Sequence, residues 1–133
     1  MIWVGYQKHQ FDKTTWENSG IGGSEYCAIK LSDYLDLQGH DVTIVGEVNE
    51  GNFWGIQYIH YDNFLKYMGP RGLNKVNNLQ VHSHYDVIIA TNYLNYFKHL
   101  EEAKITFDKN YFWLHNTGYY NWYRGNEMEN QDE

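Results

Sequence analysis

The order of segments in the first fifty residues constrains this chain more than any other feature. A short apolar run at 2–6, Ile2-Trp3-Val4-Gly5-Tyr6, reads as a buried strand. A long polar loop follows and closes on Gly20-Ile21-Gly22-Gly23-Ser24-Glu25. From 25 to about 38 the pattern is helical, with Cys27, Ala28, Leu31 and Leu35 along one face. Ser24 suits the N-cap, Glu25 the positive end of the helix, and Gly39 the C′ stop. Asp41-Val42-Thr43-Ile44-Val45-Gly46 is then a second strand, rich in β-branched residues. Strand, loop, helix, strand is a βαβ unit, whose crossover is right-handed and whose strands are parallel.

The rest of the chain continues the alternation. A third strand is expected at 56–59 and a helix at 61–68, stopped by Gly69-Pro70-Arg71-Gly72. Residues 73–85 carry no clear pattern. Tyr85-Asp86-Val87-Ile88-Ile89-Ala90-Thr91 is the clearest buried strand, with a helix expected at 93–103 and a last strand at 110–115. Near-continuous apolar strands alternating with helices predict an α/β fold, a Rossmann-like parallel sheet with helices on both faces. The expected strand spans are 2–6, 41–46, 56–59, 86–91 and 110–115, in spatial order 3-2-1-4-5. Ligands of such sheets bind beyond the carboxyl ends of the strands, where strand order reverses.

Composition narrows the functional classes. The 133 residues fit one domain but not two. The expected division is a Rossmann-like domain over 1–116 and an aromatic, then acidic, tail over 117–133. Net charge is −7 with no cluster of Lys or Arg, which argues against a basic surface for nucleic acid or anionic lipid. No apolar run approaches the roughly 18 residues of a membrane span, and the start lacks a basic n-region and an apolar h-region. Cys27 is the single cysteine, so no internal disulfide forms, and a cytoplasmic location is expected. The 13 Tyr and 5 Trp fit the codon bias of an A+T-rich genome, and also fit aromatic platforms for the C–H faces of sugars.

The glycine loop is the first candidate site. Gly22 and Gly23 let a ligand approach the backbone, and free amides at the following helix N-terminus, carrying roughly +0.5 charge, favour a phosphate. A plain turn and helix cap would use the same residues. It is not a P-loop, since no Gly-Lys-Ser/Thr follows. Nor is it the dinucleotide fingerprint, because Glu25 stands where a small residue is needed and the loop lies far from the first strand.

Gly22-Gly23-Ser24-Glu25, a helix, and then Gly39-His40-Asp41-Val42-Thr43-Ile44-Val45 together resemble the opening of retaining GT-B glycosyltransferases of family four. Tyr85-Asp86-Val87-Ile88-Ile89-Ala90 and Trp113-Leu114-His115-Asn116 resemble that family's fourth and fifth strand regions. The resemblance spans most of the chain and is loosest over 47–84. It implies the N-terminal, acceptor-side half of an enzyme that moves a sugar from a nucleotide-sugar donor to a glycan or other acceptor. Catalysis would be retaining and metal-independent, with no cofactor beyond the donor substrate. The chain ends before the donor-gripping C-terminal half of such enzymes, so the expectation is a fragment that is inactive without its partner domain. The alternative is a stand-alone Rossmann-like module that binds a glycan or phospholigand without catalysis. A small nucleotide- or NAD-dependent enzyme with an atypical loop is a third reading.

Within the leading reading, the resemblance makes His115 the catalytic candidate, hydrogen-bonding the donor sugar or orienting the reacting centre. Gly22, Gly23, Ser24 and Asn116 are expected to bind the donor phosphate and sugar. Tyr119, Tyr120 and Trp122 are expected to line an acceptor groove, or to pack against the partner domain. His82-x-His84 puts two imidazoles on one strand face with Asp86 in the same alternation, a spacing able to bind a transition metal. With no further ligand identifiable, no metal is assigned. No Asp-x-Asp occurs, so a metal-bound diphosphate has no support in the sequence.

Overall fold

The computed structural model describes residues 1–4, 10–14, 23–68, 79–91 and 96–113. β1 (Ile2–Val4) is buried along its whole length. On its two sides lie β2 (Thr43–Gly46) and β5 (His84–Thr91), both parallel to it, with Ile2 in register with Ile44 and with Ile89. β4 (Ile56–His60) pairs parallel with β2, and β6 (Thr106–Trp113) pairs parallel with β5. β3 (Gly51–Phe53) adds antiparallel to β4 at one edge. The sheet order is β3-β4-β2-β1-β5-β6. Leaving out the β3 hairpin arm, this is the expected 3-2-1-4-5 arrangement.

Because side chains alternate along a strand, the sheet has two apolar faces. One carries Ile2, Val4, Ile44, Ile56 and Tyr58 under Ala28 and Ile29 of α1 (Gly23–Leu37). The other carries Trp3, Val45, Ile59, Ile88 and Ala90. It is covered by a 3₁₀ segment (Tyr61–Tyr67), by Leu79 and Val81, and by Tyr96 and Leu100 of α2 (Tyr96–Ala103). Trp3 anchors this second face. It packs edge-on to Phe64 at 5.0 Å, and His99 stacks on it at 5.2 Å. Helical segments therefore cover both faces.

Several local expectations need correction. α1 opens at Gly23, so Ser24 sits in the first helical turn and is not the cap. Its buried residues are Glu25, Ala28, Ile29 and Ser32, while Cys27 is only half-buried. Ser32 fits this apolar face because its Oγ donates to the Ile29 carbonyl at 2.7 Å. The helix does end at Gly39, whose φ is +93°. Gly39 N–H donates to the Asp36 carbonyl and His40 N–H to the Leu35 carbonyl, the two bonds of a Schellman stop. The 61–68 helix is 3₁₀, and begins where His60 Nδ1 accepts from the Asp62 N–H. β6 starts at Thr106, four residues before the expected 110. The early part, Thr106-Phe107-Asp108-Lys109, carries little apolar signal because most of its side chains are exposed on this edge strand, and only Phe107 packs against the core.

Candidate functional site at the two edges of the sheet

The carboxyl edge holds the ends of β1, β2, β4, β5 and β6 at Val4, Gly46, His60, Thr91 and Trp113. Strand order reverses between β1 and β5, the reversal that marks ligand crevices in such sheets. Of the residues expected here, Gly23 and Ser24 form the first turn of α1. Gly22, His115, Asn116, Tyr119, Tyr120 and Trp122 lie outside the described residues. Glu25, from the same glycine motif, is buried, and that burial pushes its carboxyl above the usual range, against a hydrogen bond to its own backbone. Thr91 is fully buried, and its Oγ1 has no hydrogen-bond partner among the described residues.

Beside this crevice stands a polar network that sequence reasoning missed. Glu47 directly follows β2, and its Oε1 accepts from Tyr61 Oη at 3.1 Å. His60 Nδ1 already accepts a backbone N–H, so the ring proton is on Nε2, which meets Glu47 Oε2 at 3.2 Å. Glu50 accepts from the His60 N–H at 2.9 Å, from Asn63 Nδ2 at 3.2 Å and from Tyr67 Oη at 2.8 Å. These bonds satisfy both carboxylates and hold the β2 and β4 ends as a fixed frame. At Gly46 an added Cβ would come within 3.2 Å of Val4 Cβ and of the Val4 carbonyl, so a side chain there would push the neighbouring strand by a few tenths of an ångström. The readable signal was two acids, Glu47 and Glu50, just past an apolar strand.

The amino edge was not expected to carry a site, yet it holds a groove of about 730 Å³. Thr43, Gln57, Gln80, His82, His84 and Asp86 are among its lining residues. Gln57 organises one wall: its Nε2 donates to Thr43 Oγ1 and the Gln80 carbonyl, and its Oε1 accepts from the Gln80 N–H. Tyr85 Oη accepts from the His82 N–H at 2.9 Å, and burial pushes this phenol up to about 12. At the outer end, His84, Asp86 and Asp108 bring one potential ligand atom each to within 4.8 Å of one another. His84 Nε2 lies 3.2 Å from Asp108 Oδ1, and Nδ1 lies 2.7 Å from Thr106 Oγ1.

No family model, curated protein or solved structure matches this chain.

Chemically, the two edges differ. The described part of the carboxyl edge offers helix amides, a buried acid and a saturated carboxylate frame, which suits binding and orientation of a polar ligand. The amino edge offers imidazole and carboxylate groups without such saturation. Among the described residues no Lys or Arg forms an ion pair with Asp86 or Asp108. His82 and His84 were visible in the sequence. Asp108 was not, because it belongs to a strand segment with no apolar pattern.

Proposed function

We propose that this chain is the Rossmann-like, acceptor-side domain of a GT-B type glycosyltransferase that uses a nucleotide-sugar donor. The reading rests on the sequence resemblance, and the observation that supports it is where α1 begins. α1 opens at Gly23 in the crossover between β1 and β2, beside the reversal of strand order. The first-turn amides and the helix dipole favour a donor phosphate there. In this reading Gly22, Gly23, Ser24 and Asn116 hold the donor, His115 orients the reacting centre, and Tyr119, Tyr120 and Trp122 form the acceptor platform. Leaving-group charge is met by basic side chains and dipoles of a second domain, without a metal ion. No described helix is long and apolar enough to cross a membrane. The reading places the domain in the cytoplasm, where nucleotide sugars are available.

The test is an amide-shift titration of the ¹⁵N-labelled chain with uridine and guanosine diphosphate sugars, and separately with oligosaccharides. Perturbation centred on residues 22–25 supports the reading. Shifts confined to the amino-edge groove sink it.

A further inference from the structure

We propose that His84, Asp86 and Asp108 form a binding site for a divalent transition-metal ion on the amino edge of the sheet. The site is independent of the sugar-nucleotide reading, which concerns the opposite edge. His84 and Asp86 alternate along β5, so both side chains stand on one face. Tyr85 pairs with Phe107 and Val87 with Lys109, which sets Asp86 beside Asp108 on the neighbouring strand. Three ligand atoms already lie within 4.8 Å of one another. Metal–ligand bonds of about 2.0–2.2 Å would draw them closer. The three side chains are exposed.

Electrostatics also call for a cation. Two carboxylates side by side on adjacent strands repel, and among the described residues no Lys or Arg pairs with either. The imidazole is held in place on both sides. Nδ1 lies 2.7 Å from Thr106 Oγ1, and Nε2 lies 3.2 Å from Asp108 Oδ1. An outer hydrogen bond that fixes the ring is typical of metal-binding histidines.

One imidazole nitrogen with two carboxylates suits a borderline ion such as Zn²⁺ better than Mg²⁺ or Ca²⁺. His84 and Asp86 also line the groove together with His82, Gln80 and Gln57, so an ion held by them would be accessible to a small anionic ligand. It would also tie the edge strand β6 to β5.

The experiment uses the full 133-residue chain, stripped with chelator and titrated calorimetrically with ZnCl₂ at pH 7.5. The expected result is one ion per chain at micromolar affinity, with weak or no Mg²⁺ binding. H84Q and D108N should abolish that binding, T106V should weaken it about tenfold, and H82Q should leave it nearly unchanged. Zn²⁺ should raise the Tm of the parent chain and not that of D108N. D108N alters an exposed edge-strand side chain, so it decides the matter even if H84Q folds poorly. Binding that survives in D108N overturns the assignment. So does the absence of saturable binding below about 1 mM, which would leave a plain hydrogen bond between His84 and Asp108.

Discussion

His99 stacks on Trp3 at 5.2 Å with ring planes 26° apart, so one face of a titratable ring is packed against the core. Burial holds its pKa below the usual 6.5, although Glu102 and Asp62 pull the other way. The folded state therefore prefers neutral His99, while the unfolded chain takes up a proton near 6.5. Stability from this residue is complete above that pH and is lost as pH falls toward the depressed folded value. Urea midpoints measured at pH 7.5 and 5.5 should fall on acidification in the parent chain. H99F keeps a flat ring against Trp3 without titrating, and its midpoint should fall less. Equal slopes in the two proteins would show that His99 is not the group responsible.

At the scale of elements, the β3–β4 hairpin was missed in the sequence because its turn is Trp54-Gly55, not Asn-Gly. Both residues have positive φ, +54° and +89°, as a two-residue turn with the right-handed twist of its strands requires. Asn52 Oδ1 accepts the Gly55 N–H at 3.0 Å and braces the turn. An added Cβ at Gly55 meets only Asp36 Oδ1, at 4.0 Å, so substitution there is limited by backbone conformation and not by space. G55A should cost about 1–2 kcal/mol in urea denaturation. An unchanged midpoint would mean that the hairpin turn does not hold this conformation in solution. β6 presents a different case. Tyr111, Phe112 and Trp113 are exposed near its carboxyl end, which is the edge where the proposed acceptor groove would lie.

For the whole molecule, the proposed role makes two connected predictions. The 133-residue chain, assayed by itself, should neither hydrolyse nor transfer sugar from common nucleotide sugars. Turnover above a mock-purified control would show that donor binding and chemistry reside in this chain alone. In a two-domain enzyme that contains this chain, H115A should lower kcat/KM at least about tenfold, or roughly 1.4 kcal/mol of transition-state stabilisation. Its thermal unfolding should barely change. Loss of stability with unaltered specific activity would instead make His115 a packing residue.

The sequence by itself determined the parallel sheet, the order of its five main strands and the helix stop at Gly39. Each rests on local chemistry: β-branched runs bury on both faces, right-handed crossovers leave few strand orders, and a positive φ selects glycine. The resemblance carried by Gly22-Gly23-Ser24-Glu25 and Gly39-His40-Asp41-Val42 was equally a property of the sequence, and the functional proposal rests on it. What lay beyond the sequence was the register between strands and the side-chain contacts that register makes. Edge pairing of Thr106-Phe107-Asp108-Lys109 is set by backbone hydrogen bonds to β5, which leave no periodic mark on an exposed strand. The Glu47–His60–Tyr61 frame joins the ends of β2 and β4 across 13 and 14 residues. Only the tertiary structure brought Asp108 to His84 and Asp86, because strand register decides which side chains stand together, and register depends on the whole sheet.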